Sequence, residues 1–343
     1  MQENRKIHTG IWLAVLFSVS SIYFIFHSFK GIHLSAGINR LNWFYVVFGF
    51  FVQFLVWLAK ACRMYAIADG MGSHVPLTRF FQIYMATCFV SHVTPFNSGG
   101  TPLEVYLLTK QGIAVGTASA ITVVDLGLNT AMFFILAVMA AASNFGEFTR
   151  MLDGGRAGTR WLWMIGIVMV VMIILAILVG YYRRPKSRGP GWTKLRQFLH
   201  KKGWLDNLAR EARLFKEGWL MLSRGNPSRI FWASLATVVY WLLYLLLAPL
   251  IIWALGKPVS FWGLIGAQLI FNLAQIFIPT PGGSGGSELI LGYFFRSYTG
   301  VSLIGLFVLI WKVYTFYSTL ILGGIFFLRL TRGGSVPKSA KND

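Results

Sequence analysis

Four charged side chains lie in apolar stretches of the sequence, where a charge is costly: Glu104, Asp125, Glu288 and Lys312. Ionisable groups in such surroundings pair with one another, bind a charged substrate or ion, or relay protons. They are accompanied by no Cys/His set with metal-ligand spacing, no phosphate-binding glycine loop and no nucleophile elbow. We therefore expect a binding or translocation site, and we expect no enzyme activity, no cofactor and no metal.

The composition indicates which solvent surrounds these charges. Of the 343 residues, 56% are hydrophobic and 12% are charged, whereas an average soluble domain carries about 25% charged residues. A soluble enzyme of this length is therefore nearly excluded. The sequence predicts an all-α polytopic membrane protein forming a single membrane domain over residues 1–343.

Six segments are apolar and long enough to cross a bilayer, which takes about 20 helical residues. The predicted full spans are 11–29, 43–60, 117–142, 161–182, 229–254 and 303–328.

Two further apolar regions, 80–111 and 262–296, are interrupted near the middle by Pro and Gly. Each half is short for a full span and suits a re-entrant or broken helix. We call these regions the first hairpin and the second hairpin.

The charge balance is strongly basic, with 31 Lys and Arg against 11 Asp and Glu, a net charge of +20. If both hairpins return to their own side, most basic residues fall on one face, in segments such as 60–79 and 183–228. An excess of Lys and Arg marks the cytoplasmic face. The charge thus predicts cytoplasmic N- and C-termini and contact with lipid headgroups, and it is not a nucleic-acid footprint.

Segment 183–228 is predicted to be a basic cytoplasmic loop that carries an amphipathic helix within 192–225. The residues that recur at helical spacing are Trp204, Leu205, Leu208, Ala212, Phe215, Trp219 and Leu222. We expect this helix to lie on the membrane surface. A connector packed on the protein is the alternative.

The two hairpins contain an internal repeat. Residues 94–100 are T-P-F-N-S-G-G and residues 280–286 are T-P-G-G-S-G-G, identical at the first two and last three positions. The repeat halves extend over about 80–142 and 262–328. Because three predicted spans separate the hairpins, the second enters from the opposite side, which gives an inverted-topology repeat typical of transporters.

The repeated motifs supply the candidate hinge and binding residues. Pro95 and Pro281 would break the helices, and the half-helices beginning at Thr101 and Ser287 carry partial positive charge that can hold an anion. The other candidate translocation residues in the two motifs are Ser98, Gly99, Gly100, Gly282, Gly283, Ser284, Gly285 and Gly286. A tight loop that only lets helices pack closely is the alternative.

Asp125 and Lys312 occupy similar depths in the helices that follow the two hairpins. We expect them to approach each other across the pseudo-two-fold axis, either lining a transport path or forming a structural ion pair. Several uncharged polar residues in apolar surroundings could line a cavity, although each alone indicates an interhelical hydrogen bond. They are Gln53, His92, Asn97, Asn129, Asn272 and Gln275.

At these motifs the sequence resembles a known family. The stretch TPFNSGGTPLEVYLLTKQGI with the following TASAITVVD, and the stretch IPTPGGSGGSELILGYFF with the later WKVYTFYSTLILGG, are similar to two blocks of the flippase-like family named for the transmembrane region of lysylphosphatidylglycerol synthases. The most specific part is Pro279, Pro281, Gly282, Gly283, Gly285 and Glu288.

The resemblance implies an inner-membrane protein that moves a phospholipid, anionic or aminoacylated, between leaflets. It also suggests a separate lipid-synthesising enzyme as a partner, because we expect no synthase domain on this chain. Family members often have Glu-Arg at Val124-Asp125 and Arg at Lys312, so the bidentate guanidinium is lost here.

Other functions remain open at this point. Inverted broken helices suit a secondary transporter of a small solute or ion equally well. A membrane enzyme acting on lipid-linked substrates could use paired carboxylates as acid and base, and a scaffold for a lipid synthase would show no exchange activity.

Overall fold

The computed structural model describes residues 38–39, 41–143, 213, 217–220, 222–224 and 226–332. All regular secondary structure in these ranges is helical, and they contain no strand. This agrees with the predicted all-α membrane protein.

Four helical segments in the described ranges are long and apolar enough to cross a membrane: Trp43–Gly70, Val115–Ala140, Ser228–Ala254 and Ile304–Thr331. They correspond to four of the predicted spans. The other two, 11–29 and 161–182, lie outside the described residues.

The first of these spans, α1 (Trp43–Gly70), is longer than the predicted segment 43–60. Its N-cap is Asn42, whose side chain accepts a hydrogen bond from the backbone N–H of Phe44 at 3.1 Å. Its C-cap is Met71, which is followed by Gly72 with a φ of +84°. The ten residues beyond Lys60 that were expected in a cytoplasmic segment are therefore helical.

The first hairpin consists of α2 (Leu77–Val93), a short 3₁₀ turn (Pro95–Asn97) and α3 (Gly100–Lys110). The next helix is the span α4 (Val115–Ser143). The α2 and α3 halves pack against each other, and α3 packs against α4.

The second hairpin has the same construction. After the span α5 (Pro227–Ala254) come α6 (Phe261–Gln275), a 3₁₀ turn (Pro281–Gly283) and α7 (Gly286–Thr299). The final span is α8 (Ile304–Lys312), a π-helical segment (Val313–Tyr317) and α9 (Ser318–Arg332).

The core is built from contacts between distant parts of the chain. Helix α5 packs along α1, and α9 packs along α2. Exposed apolar residues remain on the outer face of α1, such as Trp43, Phe44 and Phe51, as expected for a surface solvated by acyl chains.

The end of the predicted amphipathic helix packs on the protein. Leu222 is fully buried in a cluster with Met64 and Ile67 of α1, and Gly218 lies against Ala120 and Val124 of α4. These contacts hold the end of the predicted helix against α1 and α4. Most of segment 183–216 lies outside the described residues.

Candidate functional site

The two motif turns have the same backbone conformation at consecutive positions. Phe96 has φ 53° and ψ 22°, and its counterpart Gly282 has φ 59° and ψ 13°. The following residues, Asn97 and Gly283, also have positive φ, at 53° and 67°. The sequence repeat is therefore a structural repeat at this level, although one copy achieves the left-handed conformation without glycine.

These two turns also lie against each other. The 3₁₀ turn Pro95–Asn97 contacts the turn Pro281–Gly283, and both contact α2. Gly282 is buried there: a methyl group added to it would overlap the Phe316 ring and lie 3.1 Å from the carbonyl oxygen of His92. The tips of the two hairpins therefore meet beside the final span.

A buried ion pair lies at the start of α7. Lys312 Nζ is 3.0 Å from Glu288 Oε1 and donates a hydrogen bond of 2.6 Å to Ser287 Oγ. The Ser287 hydroxyl in turn donates to Glu288 Oε2 at 3.0 Å. Glu288 and Ser287 are fully buried and Lys312 is 3% exposed. The site is thus closed to solvent in this conformation.

Phe316 connects this ion pair to the hairpin tips. Lys312 Nζ lies 5.0 Å from the centroid of the Phe316 ring, and the His92 ring lies 4.9 Å from it. His92 Nδ1 is also within hydrogen-bonding distance, 3.1 Å, of Thr319 Oγ1 on α9. Phe316 belongs to the π-helical segment, a local irregularity that is frequent at functional sites.

A second charged site lies in the first half of the chain. Asp125 Oδ1 accepts a 2.7 Å hydrogen bond from Arg63 Nε, and Asp125 Oδ2 accepts one from Lys60. Arg63 also donates to Asn129 Oδ1 at 3.3 Å, and its guanidinium lies 5.3 Å from the centre of the Tyr240 ring. The side chain of Asp125 is therefore neutralised by two cations from α1.

Glu104 of α3 faces the same site. It interacts electrostatically with Lys60, Arg63 and Asp125. It is 6% exposed, and its Oε1 has no hydrogen-bond partner of good geometry among the described residues. An unpaired carboxyl oxygen in such surroundings is costly, which makes Glu104 a candidate for binding or proton exchange.

The predicted contact between Asp125 and Lys312 is wrong. Each is buried, but each pairs elsewhere: Asp125 with Lys60 and Arg63, Lys312 with Glu288. The prediction used the depth of the two residues in their helices. Depth does not specify the direction in which a side chain points, so it could not identify the ion-pair partner of either residue.

Sequence reasoning missed Lys60 and Arg63 as members of a site. Arg63 is 1% exposed, although segment 60–79 was expected to lie in the cytoplasm. One signal was available: a carboxylate within a span requires a cationic partner, and positions 60 and 63 lie on one face if the helix continues.

The remaining predicted site residues fall into two groups. Around the first tip, Ser98 and Thr101 are exposed, and the Ser98 hydroxyl donates to the Pro95 carbonyl at 2.9 Å. Gly100 is buried where a side chain would overlap Ser91. Around the second tip, Gly283 is buried and the neighbouring motif residues are half-buried; they are Pro281, Ser284, Gly285 and Gly286. Gly99 is also half-buried, whereas Pro95 is exposed.

Three of the uncharged polar residues form the interhelical hydrogen bonds that were expected of them. Asn129 accepts from Arg63, His92 contacts Thr319, and Asn272 accepts from Tyr244 at 2.9 Å. The described residues contain no group of three or more His, Cys, Asp or Glu side chains that could hold a metal ion.

Comparison with known proteins places this architecture in a family. The family model described as the lysylphosphatidylglycerol synthase TM region matches residues 11–323. The chain belongs to this family. The match to the TM-region family includes both hairpins, both motif turns and all the charges described above.

Two members named only as UPF0104 membrane proteins are similar over most of their length. The one from Archaeoglobus fulgidus is 25% identical over 326 residues, which cover 91% of this chain and 94% of that protein. The one from Methanothermobacter thermautotrophicus is 24% identical over 270 residues, which cover 75% of this chain and 76% of that protein.

Proposed function

We propose that the protein is a lipid translocase, which moves a phospholipid between the two leaflets by passing its headgroup between the hairpin tips. The observation that carries this proposal is the meeting of the two tips beside the buried Lys312–Glu288 ion pair. Irregular backbone and buried charge inside a membrane are tolerated where they line a substrate path.

The architecture that we propose has six full spans and two re-entrant hairpins related as an inverted-topology repeat. The matching φ and ψ angles of Phe96 and Gly282 support a common origin of the hairpins. Transporters with such repeats bind substrate at the repeat interface, near the bilayer midplane. The distribution of basic residues supports an inner-membrane protein with both termini in the cytoplasm.

In this mechanism, the ion pair between Lys312 and Glu288 is replaced by an ion pair between Lys312 and the headgroup phosphate. When the tips separate, Lys312 would leave Glu288 and bind the headgroup phosphate, with the α7 N-terminus adding partial positive charge. Glu288 is then free to bind a cationic group on the headgroup or to take a proton. Glu104 and Asp125 would bind a cationic group or relay protons in the first repeat half. Rocking of one repeat half against the other alternates access, while the acyl chains stay in lipid.

The substrate class is a phospholipid, anionic or aminoacylated, and the protein itself needs no catalytic residues. A separate lipid-synthesising enzyme could supply an aminoacylated substrate.

The test is reconstitution of the full chain into liposomes that carry a fluorescent phospholipid in one leaflet. We expect the protein to accelerate leaflet exchange over protein-free liposomes. Uptake of a soluble amino acid or ion without lipid exchange would favour the small-solute transporter instead. A new lipid product found by mass spectrometry would favour a membrane enzyme.

A further inference from the structure

Four ionisable side chains from three helices, three of them buried and one half-buried, form what we call the four-charge cluster: Lys60 and Arg63 of α1, Glu104 of α3 and Asp125 of α4. Lys60 has the most exposed side chain of the four, at 13%. The others are more than nine-tenths buried. Among the four side chains, Lys60 is therefore the one that a ligand or a proton from outside would reach first.

The bonds inside the cluster are distributed unevenly. Asp125 accepts from both cations, so its two oxygens are used. Glu104 Oε1 has no hydrogen-bond partner of good geometry among the described residues, and the group that lies nearby is the neutral Thr122 hydroxyl. Lys60, the most exposed cation of the four, bonds to Asp125, and an ammonium group carries three N–H donors. Among the described residues, the cluster thus has an unpaired acceptor at Glu104 and a cation with several donors at Lys60.

Charge balance restricts how such a cluster can be occupied. With Glu104 ionised, two cations and two carboxylates cancel, and the empty site is neutral. With Glu104 protonated, the cluster carries one uncompensated positive charge, which is costly in surroundings of low dielectric constant. One bound anion of single negative charge removes that cost. Proton and anion therefore favour each other's binding.

The ion pair in the second half differs in this respect. Lys312 and Glu288 are one cation and one carboxylate, bonded directly. Protonating Glu288 would break that bond, whereas protonating Glu104 breaks no hydrogen bond made to its Oε1. Glu104 and Glu288 therefore follow equivalent motifs in the sequence, but they differ in what protonation would cost.

We propose that the four-charge cluster binds a phosphodiester anion together with one proton, the phosphodiester contacting Lys60 and Arg63 and the proton residing on Glu104. This inference rests on the proposed lipid translocase. It adds a second phosphate-binding site besides Lys312, and it makes the proton gradient the energy source. The proton comes from the aqueous phase and leaves when the phosphodiester leaves. Lipid and proton then cross in the same direction, and a pH gradient drives the lipid.

The groups that face Glu104 are consistent with this exchange. Helix α1 contributes the two cations, α4 contributes Asp125 and the Thr122 hydroxyl, and α2 contributes the Cys88 thiol. The Tyr84 hydroxyl contacts Cys88, and Tyr240 of α5 covers Arg63. Among these groups, Glu104 is the one carboxyl group not already held by a cation through a hydrogen bond.

The experiment is a proton count on binding, with the purified full chain in a non-ionic detergent that contains no phosphate, because every phospholipid would itself present a phosphodiester to the site. Calorimetric titrations in two buffers of different ionisation enthalpy give the protons taken up per ligand bound. Short-chain phosphatidylglycerol and dimethyl phosphate serve as probes, since both are phosphodiesters of single negative charge. Binding of the lipid but not of dimethyl phosphate assigns the site to a headgroup, and binding of both assigns it to any phosphodiester.

We expect uptake of about one proton per phosphodiester in the wild type. Glu104→Asp should retain the uptake, and Glu104→Gln should bind the probe without it. Asp69→Asn, which removes a carboxylate from the same helix as Lys60 but outside the cluster, should behave as the wild type. No uptake in the wild type, or equal uptake in Glu104→Gln, would overturn the proposal, and the wild-type count decides even if Glu104→Gln fails to fold.

A second measurement separates this inference from the proposed function. In liposomes, a gradient of about one pH unit should support up to about a tenfold asymmetry of phosphatidylglycerol between leaflets, which Glu104→Gln abolishes. Exchange that is insensitive to the gradient refutes the proton coupling and leaves the translocase intact. Proton-linked binding without any exchange refutes the translocase and leaves the site intact.

Discussion

Lys312 and Glu288 form an ion pair of 3.0 Å in which neither side chain is more than 3% exposed. Lys312 is the last residue of α8, the helix that follows the second hairpin, and Glu288 lies in the first turn of α7. Ser287 bonds to both partners. A buried pair of this kind is costly to break but not necessarily costly to replace.

This ion pair gives the first prediction. Lys312→Met alone leaves Glu288 as an uncompensated buried charge and should lower the free energy of unfolding by about 3–5 kcal/mol. The double variant Lys312→Met/Glu288→Leu should recover most of that stability, since it removes both charges. Thermal unfolding of detergent-purified protein, followed by tryptophan fluorescence, measures the difference. Equal destabilisation in the single and double variants would contradict the account.

The second prediction compares two acids. Asp125→Asn leaves Lys60 and Arg63 without their carboxylate in a buried site, and we expect a loss of several kcal/mol. Asp69→Asn removes the partner of Arg229 from a pair whose side chains are 21% and 30% exposed, and should cost at most about 1 kcal/mol. Unfolding curves of both variants test this. A cost for Asp69→Asn as large as that for Asp125→Asn would refute the importance of the buried site.

The third prediction concerns the two left-handed turn positions. A residue other than glycine pays about 1–2 kcal/mol there, and Phe96 is mostly exposed, so Phe96→Gly should be neutral or stabilise the fold by up to about 1 kcal/mol. Gly282→Ala should destabilise it, because the added methyl group meets Phe316 and the His92 carbonyl oxygen. In the same unfolding assay, Gly282→Ala should lower the free energy of unfolding and Phe96→Gly should not. Changes of the same sign and size would show that the turns are not equivalent.

The fourth prediction concerns the contact between α2 and α9. Thr319→Val removes the hydroxyl that contacts His92, and should cost about 1 kcal/mol of stability. Thr331→Val is the matched control, since within the part of the chain that the structure describes the Thr331 hydroxyl bonds to carbonyl oxygens of its own helix. Hydrogen–deuterium exchange should show faster exchange at the hairpin tips in Thr319→Val than in the control. Identical exchange at the tips in the two variants would count against a role for this contact.

Much of this architecture is predictable from hydropathy and from Pro and Gly. Apolar runs of about 20 residues identified the four described spans, and the two interrupted runs identified the hairpins because neither Pro nor a left-handed residue continues an α-helix. The T-P-x-x-S-G-G repeat coincides with the left-handed conformation that Phe96 and Gly282 share. These features are local, so the sequence contains them directly.

The pairing of charges was not predictable in the same way. Which acid meets which base depends on the rotation of each helix and on where each helix ends. Taking α1 to end at Lys60 removed Arg63 from the membrane, and Asp125 was then assigned to Lys312, a cation with a closer partner in Glu288. The π-helical segment after Lys312, which affects the direction of Phe316, has no sequence signature that we recognise.

The most direct test of the central claim is leaflet exchange of fluorescent phosphatidylglycerol by the reconstituted protein, comparing the wild type, Glu288→Gln, Lys312→Ala and Lys257→Ala. Lys257 is an exposed loop residue and provides a lysine control outside the site. We expect protein-dependent exchange in the wild type and Lys257→Ala, and a loss of at least about tenfold in both site variants when they remain folded. Unchanged exchange in folded Glu288→Gln and Lys312→Ala would contradict a translocation path beside the hairpin tips.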